Sequence, residues 1–451
     1  NLRDYITSFS KNVQEIMASF GTYKQIERLD KAGLLYMVIS KYADEIDLSP
    51  EKVPNNVMGY IFEELIRRFS EISNETAGEH FTPRDVIQLM VTLIFDADAD
   101  ELSGTGKMTS LYDPAAGTGG MLAIGSDYLK AMNQTIYVDC YGQELNPMTY
   151  ATCKSDMLIK GQQYERIFPG NSFTHDGTEG NSFSYMLCNP PFGVEWKKYE
   201  KEIRDENKKL GHAGRFGAGL PRISDGSFLF LQHMISKMKP IEEGGSRIAI
   251  VFNGSPLFTG DAGSGESDIR RWIIEHDWLE AIVALPDQMF YNTGISTYIW
   301  IVTNKKKGLR KGNIQLINAV SFFEKMRKSL GSKRNHITDE QIKEISKIYG
   351  DFVAWEHCKI FDNDDFGYHK IVVERPLRGE NGGIVCDKKG NPKPDSSLRD
   401  TESVPLKEDI QTYFKREVLP HVPDAWIDKS KTKTGYEIPF TRHFYKFTPL
   451  R

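Results

Sequence analysis

Two hydrophobic patterns divide the chain into regions of different character. From Tyr23 to Phe69 the apolar residues recur at helical spacing, which predicts an all-helical segment. After Pro83, short runs rich in β-branched and aromatic residues alternate with helical stretches, and this order predicts βαβ units with a parallel sheet. We therefore predict an α/β fold with a doubly wound, mostly parallel sheet and an N-terminal all-helical segment.

The predicted strands and helices alternate regularly up to about residue 304, where the pattern fades. The strand segments are SLYDPAAG, IYVDCYGQE, FSYMLCNPP, SRIAIVFN, LEAIVALP and STYIWIVTN. Helices are expected over about residues 119–132, 147–160, 225–239 and 269–276. The last two strands are expected to pair antiparallel at an edge of the sheet. The polar connection 197–224 is typical of a functional or mobile segment, and its run KKYEKEIRDENKKL predicts an exposed helix.

The composition argues against a membrane-spanning protein. The chain is 39% apolar and 26% charged, and no apolar run approaches the roughly 20 residues of a membrane helix. Five scattered cysteines without a C-x-x-C pair fit a reducing cytoplasm and predict no metal site. No signal peptide is visible, and a start at Asn1 rather than Met predicts a piece of a longer protein. With a formal net charge of −5, binding to a polyanion would require a local basic surface or a partner.

The stretch YDPAAGTGGML has the features of an anion-binding loop. A strand ends near Asp113 and a helix opens near Gly119 and Gly120, so free N–H groups lie at the positive end of a helix dipole. The glycines match neither G-x-G-x-x-G nor a P-loop. Glu144 ends the next strand, where a carboxylate can hold both hydroxyls of a ribose. S-adenosylmethionine, a nucleoside with a carboxylate, satisfies both features; the alternative is a tight turn with a surface glutamate.

The stretch YMLCNPPFGVEW places two prolines directly after a buried strand. Because proline has no N–H, this segment cannot continue a ladder, and it leaves carbonyl oxygens free at a ligand-binding edge. The Asn189 amide oxygen and the Pro190 carbonyl can hold both hydrogens of an exocyclic amino group. Phe192 offers a flat face for a flipped base. The alternative is a simple edge-strand stop, and the upstream glycine loop counts against it.

At these residues the sequence resembles the N6-adenine DNA methyltransferases, and more closely the modification subunits of type I restriction-modification systems. The segments that carry the resemblance are GEHFTPRDVIQLM, YDPAAGTGGML, YGQELNPMTYATCKSDMLIKG, LCNPPFG, LPDQMFYNTGISTYIWIV and FGYHKIVVERPLR. The resemblance implies a seven-stranded sheet of the S-adenosylmethionine-dependent methyltransferase type. It also implies transfer of a methyl group from S-adenosylmethionine to adenine N6 in duplex DNA after base flipping.

The resemblance and the glycine loop together give a set of expected site residues. The expected cofactor contacts are Glu79, His80, Phe81, Thr82, Pro83, Arg84, Asp113, Ala115, Gly117, Thr118, Gly119, Gly120 and Glu144. The expected target-base site is Asn189, Pro190, Pro191 and Phe192. Without the resemblance, Thr82 and Pro83 are expected to be the N-cap and first residue of a helix. His212 and Arg215 are candidates for contacts to DNA phosphates.

The resemblance also implies partners and a domain order. The expected partners are duplex DNA, a sequence-specificity subunit, a second copy of the modification subunit and, as a further candidate, a restriction subunit. We expect a helical segment over 1–77, a catalytic domain over 78–330 and a C-terminal extension of helix and irregular structure over 331–451. The alternative function is methylation of a protein glutamine, whose amide nitrogen poses the same lone-pair problem. A non-catalytic scaffold is disfavoured by the intact Asn189 and Phe192.

Overall fold

The computed structural model describes residues 2–49, 51–53, 57–58, 61, 65, 81–291 and 293–445. Its strands, in chain order, are β1 (Met108–Asp113), β2 (Tyr137–Glu144), β3 (Ile167–Pro169), β4 (Tyr185–Cys188), β5 (Arg247–Asn253), β6 (Leu279–Ala284), β7 (Thr297–Thr303), β8 (Asn313–Asn318), β9 (Glu324–Leu330), β10 (Lys333–His336), β11 (Cys358–Asp362), β12 (Gly367–Glu374), β13 (Asp400–Pro405), β14 (Trp426–Ile427) and β15 (Lys433–Tyr436). A nine-stranded main sheet has the order β11-β8-β6-β7-β5-β4-β1-β2-β3. Its strands run parallel except β7 and β11, which are antiparallel to their neighbours. The predicted mostly parallel sheet is confirmed.

Helices cover both faces of this sheet and also form the N-terminal segment. They are α1 (Leu2–Thr7), α2 (Lys11–Ser19), α3 (Thr22–Lys31), α4 (Leu35–Glu45), α5 (Arg84–Asp96), α6 (Ala99–Leu102), α7 (Gly120–Met132), α8 (Pro147–Ile159), α9 (Glu200–Leu210), α10 (Ser227–Ser236), α11 (Ser255–Phe258), α12 (Gly265–Glu275), α13 (Asp339–Asp351), α14 (Ile410–Tyr413) and α15 (Phe440–Phe444). The four helices predicted between the strands are present, with ends shifted by a few residues. Among the described residues, no helix combines the length and the apolar character needed to span a membrane.

Alternation along the central strands explains why both faces are covered. In β4, Tyr185 and Leu187 belong to the core cluster that contains α5, α7 and α13, whereas Met186 and Cys188 belong to the cluster that contains α10 and α12. Successive side chains of a strand point to opposite faces, so each face buries its own apolar layer. The predicted doubly wound arrangement is therefore confirmed.

The sheet is wider than the seven strands that the resemblance implied. Strands β6 and β7 pair antiparallel as predicted, but they do not form an edge, because β8 pairs with β6 and β11 pairs with β8. Strand β8 was missed because its sequence, NIQLIN, contains polar residues. Gln315 is fully buried there, and its side-chain amide donates to the Ile348 carbonyl at 3.0 Å. A paired amide can occupy a core position that sequence patterns assign to apolar residues.

The outer regions have more structure than expected. The predicted end of the catalytic domain at residue 330 falls at the turn of the β9–β10 hairpin, and β11 of the main sheet lies beyond it. The C-terminal region also contains a small sheet in which β12 pairs with β13, β14 and β15, rather than helix and irregular structure alone. At the other end, α2 lies against the main domain, where Asn12 donates to the Tyr164 hydroxyl at 3.1 Å. The exact division into three regions stays a prediction.

Candidate active site

A cavity of about 370 Å³ opens at the carboxyl ends of strands β1, β2, β3 and β4. Four residues at these strand ends contribute to its wall: Asp113 ends β1, Glu144 ends β2, Gly170 follows β3 and Asn189 follows β4. Parallel strands present their carboxyl ends at the same edge, and ligands of open α/β sheets bind at this edge. The glycine loop and the Asn-Pro-Pro-Phe segment, which the sequence predicted to face one pocket, both contribute to this wall.

The glycine loop reaches its shape through backbone conformations that favour glycine. Gly117 has φ 53° and Gly119 has φ 87°, both in the left-handed region. A Cβ atom at Gly119 would lie 2.7 Å from Cys153 Sγ, and one at Gly120 would lie 3.2 Å from Ile87 Cδ1. Helix α7 begins at Gly120, so its N-terminal end points into the cavity wall. The loop is therefore a close-packed cradle at the positive end of a helix dipole.

Glu144 is held in place by the two loops beside it. Its Oε2 accepts the Gly117 N–H at 2.8 Å, and its Oε1 accepts the Asn146 N–H at 2.7 Å. The residue is buried and contributes to the cavity wall. A carboxylate has about four acceptor positions. Two backbone donors therefore fix Glu144 and leave acceptor capacity for hydroxyl groups of a ligand.

Asp113, the last residue of β1, has an unusual proton affinity. Its Oδ1 accepts the Ala115 N–H at 2.9 Å, and the side chain is almost completely buried. Burial, together with the nearby charge of Glu144, raises the pKa of Asp113 to about 7, although the Ala115 N–H opposes the shift. The carboxyl group is therefore largely protonated below neutral pH. A shifted pKa in a cleft is typical of functional sites, but structural groups show it too.

Asn189 lines the cavity and carries a buried, unpaired acceptor. Its Nδ2 donates to the Thr82 hydroxyl at 3.0 Å, whereas its Oδ1 is buried without a hydrogen-bond partner among the described residues. A buried acceptor without a partner costs about 1–3 kcal/mol, and such atoms are rare in folded proteins. Because the amide nitrogen is fixed by Thr82, the oxygen is the group left for a ligand.

Thr82 has a different local role from the one predicted by its sequence context. Helix α5 begins at Arg84 with Pro83 at the N-cap position, and no side chain caps it. The expected assignment of Thr82 as N-cap is therefore wrong by one residue, a common error at helix ends. With no capping bond to make, the Thr82 hydroxyl accepts the hydrogen bond from Asn189.

Phe192 lies apart from the cavity wall. Its ring packs edge-to-face against Phe290 with the centroids 5.7 Å apart, and it is partly buried against the core. Pro191 contributes to the wall, while Pro190 is buried outside it. A stacking role for Phe192 and an acceptor role for the Pro190 carbonyl stay predictions.

The structure brings together most of the predicted site residues. Those that contribute to the cavity wall are Phe81, Thr82, Arg84, Asp113, Ala115, Gly117, Thr118, Gly120, Glu144, Asn189 and Pro191. Those outside the wall are Pro83, Gly119, Pro190 and Phe192. Glu79 and His80 lie outside the described residues. The binding roles assigned to all of these residues stay predictions.

The expected site residues do not include the loop after β3, yet this loop forms part of the wall. Asn171, Ser172 and Phe173 line the cavity. Arg215 supports them from behind, because its guanidinium donates to the carbonyls of Ser172 at 2.8 Å and Phe173 at 2.7 Å and pairs with Glu206 at 2.6 Å. The strand before this loop, β3, was not predicted, since three residues are too few to show strand periodicity.

Arg215 is therefore not the DNA-contacting residue that the sequence allowed. Its donors are committed to the cavity loop and to Glu206, and its side chain is mostly buried. His212 is exposed, and the centroid of its ring lies 6.5 Å from that of Trp272. Its contact with DNA stays a prediction. Within the described part of the chain, no group of three or more His, Cys, Asp or Glu side chains is arranged to hold a metal ion.

The chain is similar in sequence to two methylase subunits. It is 29% identical over 367 residues to the type I restriction enzyme MjaIX methylase subunit of Methanocaldococcus jannaschii, a match covering 79% of this chain and 59% of that protein. It is 29% identical over 305 residues to the type I restriction enzyme HindI methylase subunit of Haemophilus influenzae, covering 67% and 61%. The chain thus spans about three fifths of the length of these curated relatives.

A solved structure and a family model agree with these matches. The crystal structure of the type I restriction-modification system methyltransferase subunit from Streptococcus thermophilus superposes with a TM-score of 0.57 at 26% identity, covering 71% of this chain and 62% of that one. The model of the N-6 DNA Methylase family matches residues 53–374. This range contains the glycine loop, Glu144 and the Asn-Pro-Pro-Phe segment. The chain therefore belongs to the N-6 DNA methylase family.

Proposed function

We propose that this chain is the modification subunit of a type I restriction-modification system, and that it transfers a methyl group from S-adenosylmethionine to adenine N6 in duplex DNA. The observation that carries the proposal is the buried, unpartnered Oδ1 of Asn189, a residue that lines the same cavity as the glycine loop and Glu144. An adenine amino group has two hydrogens to donate and would supply the missing partner. The named relatives, both methylase subunits of type I restriction enzymes, support the same conclusion.

The residues at the glycine loop fit S-adenosylmethionine. The cavity volume of about 370 Å³ lies within the range of small-molecule sites, roughly 300–1,000 Å³. The Gly117–Gly120 turn and the start of α7 suit the carboxylate of the cofactor, and Glu144 has acceptor capacity for its ribose hydroxyls. When bound, S-adenosylmethionine supplies an electrophilic methyl group attached to a sulfonium. Phe81, Thr82 and Arg84, which reach the same cavity, are candidates for further contacts.

The target-base side of the cavity supplies orientation rather than a strong base. The adenine amino group is a poor nucleophile because its lone pair is delocalised into the ring. Asn189 Oδ1, and the Pro190 carbonyl as a predicted second acceptor, would accept its hydrogens and favour a pyramidal nitrogen with an available lone pair. Thr82 fixes the Asn189 amide so that the oxygen, not the nitrogen, meets the base. Fixed acceptors in a water-poor site stabilise developing charge without reorganising.

The proposed partners follow from the names of the relatives and from the charge of the chain. We propose duplex DNA, a sequence-specificity subunit and a second modification subunit as partners, with a restriction subunit as a further candidate. The net charge of −5 supports dependence on a DNA-reading partner, because the whole-molecule field does not attract a polyanion. The proposed location is the cytoplasm, where such a complex meets DNA and where free cysteines stay reduced.

The glutamine-methylation alternative has less support. A glutamine amide could use the Asn189 acceptor in the same way, but both named relatives are restriction enzyme methylase subunits. The experiment that separates the two functions incubates the chain with labelled S-adenosylmethionine and either duplex DNA or a glutamine-bearing release factor, with and without the specificity subunit. Label on adenine N6, found by nucleoside mass spectrometry, is the expected result. Label on the protein alone would overturn the proposal.

A further inference from the structure

A basic hairpin lies near the candidate active site without a role in it. Strands β9 and β10, joined at Gly331, expose Lys325, Arg327, Lys328 and Arg334 and carry one carboxylate, Glu324. In the described part of the chain, none of these four cations forms an ion pair. On a chain with a net charge of −5, such a cluster of unpaired cations is a local reversal of charge.

The fold puts this hairpin at the same edge of the main sheet as the cavity. Strand β8 runs parallel to β6, and Asn318 at its carboxyl end is in register with Ala284 at the end of β6. Because β6 has the direction of β4 and β5, all of these strands end at the cavity edge. The hairpin begins a few residues after Asn318 and so starts from that edge.

Hydrogen bonds fix the hairpin to the segment 287–291. The Ser332 N–H donates to the Tyr291 carbonyl at 2.8 Å, and the Arg334 N–H donates to the Gln288 carbonyl at 2.9 Å. Gln288 has φ 58°, a left-handed conformation that is uncommon for a residue with a side chain. Lys333, the buried cation of the hairpin, pairs with Asp85 on α5 at 2.9 Å. These bonds hold the exposed cations on a defined ribbon.

The segment 287–291 connects the hairpin to both halves of the candidate site. The ring of Tyr291 packs against that of Phe81, a residue of the cavity wall, with the centroids 5.5 Å apart. The ring of Phe290 packs against that of Phe192, three residues after Asn189. Through the segment 287–291, the basic hairpin is therefore linked to Phe81 of the cavity wall and to Phe192 of the predicted target-base segment.

We infer that the β9–β10 hairpin binds the phosphate backbone of duplex DNA next to the flipped adenine. This inference rests on the proposed function for the identity of the substrate. Lysine and arginine contacts to phosphates supply most of the affinity and the orientation of a protein on DNA without reading its sequence. The hairpin thus provides the local basic surface that the acidic chain requires, and sequence reading is left to other parts of the complex.

The test neutralises the hairpin and compares it with an equal charge change elsewhere. The hairpin variant carries Lys325→Gln, Arg327→Gln, Lys328→Gln and Arg334→Gln. The control variant removes four exposed lysines of the C-terminal region with Lys388→Gln, Lys389→Gln, Lys393→Gln and Lys415→Gln. Fluorescence anisotropy of a labelled non-cognate duplex, titrated with the full chain over a series of salt concentrations, gives the slope of log affinity against log salt.

The expected result is a smaller salt slope for the hairpin variant alone. Each lost phosphate contact lowers the slope by about 0.9, so the loss of three or four contacts lowers it by roughly 3. A charge-preserving variant with Lys325→Arg, Arg327→Lys, Lys328→Arg and Arg334→Lys should bind as the wild type does. Equal slopes for the hairpin and control variants would overturn the inference, as would wild-type binding that does not depend on salt.

A parallel methylation assay separates this inference from the proposed function. If the wild type methylates adenine but the hairpin and control variants have the same slope of log affinity against log salt, the hairpin inference fails and the proposed function stands. If no adenine is methylated even with the specificity subunit, the proposed function fails, and the salt slopes still decide whether the hairpin binds duplex DNA. Loss of the specificity subunit from the hairpin variant in gel filtration, with an unchanged slope, would assign the hairpin to a protein partner and overturn the inference.

Discussion

The parallel strands of the main sheet begin at an amino edge and end at a carboxyl edge. Both edges bury polar side chains, but the polar atoms around their two cavities are paired differently. At the amino edge, Arg247 at the start of β5 pairs with Asp98 at 3.2 Å and with Glu280, and Lys305 pairs with Asp98 at 2.7 Å. Among the described residues around the neighbouring cavity of about 290 Å³, each buried side-chain polar atom has a hydrogen-bond partner. At the carboxyl edge, Asn189 Oδ1 has none.

This difference separates a structural polar network from a candidate binding site. At the amino edge, the charges compensate one another, so a ligand would have to break existing pairs before it could bind. At the carboxyl edge, the fold bears the cost of an unpartnered acceptor, which a suitable donor would remove. Buried atoms of this kind call for an explanation, and a ligand-binding role fits a residue of a cavity wall.

The largest expected effect concerns the amino edge. Arg247→Met leaves the buried carboxylates of Asp98 and Glu280 without their main partner, and breaking such a network costs about 3–5 kcal/mol in free energy of unfolding. Urea unfolding should show this loss, while the methylation rate per folded molecule stays near the wild-type value. Arg204→Met, which breaks an exposed pair with Glu200, is the control and should cost less than about 1 kcal/mol. Equal losses in the two variants would contradict the distinction between the edges.

The second prediction concerns the carboxyl edge, where a substitution should lower the methylation rate rather than the stability. Asn189→Ala removes the acceptor that is expected to hold the adenine amino group, and single-turnover methylation should slow by about 10²–10³-fold, as for other preorganised polar groups. The free energy of unfolding should change by no more than about 1 kcal/mol, because the variant loses the hydrogen bond from Nδ2 to Thr82 but also removes a buried oxygen that makes no bond within the described chain. A rate within threefold of the wild type would remove Asn189 from the mechanism.

A third prediction uses the raised pKa of Asp113. The pKa of this carboxyl is about 7 in the folded chain and 3.8 in the reference state, so unfolding releases its proton between these pH values. The contribution of Asp113 to stability should therefore fall as the pH rises from about 4 to 7, by at most about 1.4 kcal/mol per pH unit, and then level off. Asp113→Asn has no proton to release, so its stability relative to the wild type should increase through this window. If the difference in free energy of unfolding between Asp113→Asn and the wild type is the same at every pH, the pKa of Asp113 is not raised.

The smallest effect tests how the acceptor is oriented. Thr82→Val keeps the shape of the side chain but removes the hydroxyl that accepts from Asn189 Nδ2. Loss of this hydrogen bond should raise the activation free energy of methyl transfer by about 1 kcal/mol, which lowers the methylation rate roughly fivefold. Thr82→Ser retains the hydroxyl and should restore most of the rate. If the serine and valine variants are equally slow, the methyl group of Thr82, not its hydrogen bond, supports the site.

The sequence allowed prediction of the features that depend on local backbone chemistry. Glycine permits positive φ and consecutive prolines cannot continue a ladder, so a turn after each strand could be predicted. Because parallel strands end at one edge, the loop at Gly117 and Gly119 and the segment at Asn189 could then be assigned to the same edge. The doubly wound sheet could be predicted because strand and helix patterns, which are also local, alternate along the chain.

Features that depend on distant partners could not be predicted. The bond between Asn189 and Thr82 joins residues 107 positions apart, and nothing near Thr82 indicates it. Likewise, the ion pair of Arg247 with Asp98 spans 149 positions, and both residues read as ordinary surface charges in the sequence. Gln315 shows the same limit, because its partners Arg310, Ile348 and Cys358 make a polar residue compatible with the buried strand β8.

The most direct test of the central claim is calorimetric titration of S-adenosylmethionine into two single variants. The claim is that Glu144 and the glycine loop hold the cofactor, while Asn189 faces the same cavity and serves the methyl acceptor. Glu144→Ala should weaken cofactor binding by about tenfold or more, as expected for loss of a charged hydrogen-bond acceptor. Asn189→Ala should leave the dissociation constant within about twofold of the wild type, which corresponds to less than 0.5 kcal/mol. Losses of cofactor affinity of similar size in both variants would contradict the claim.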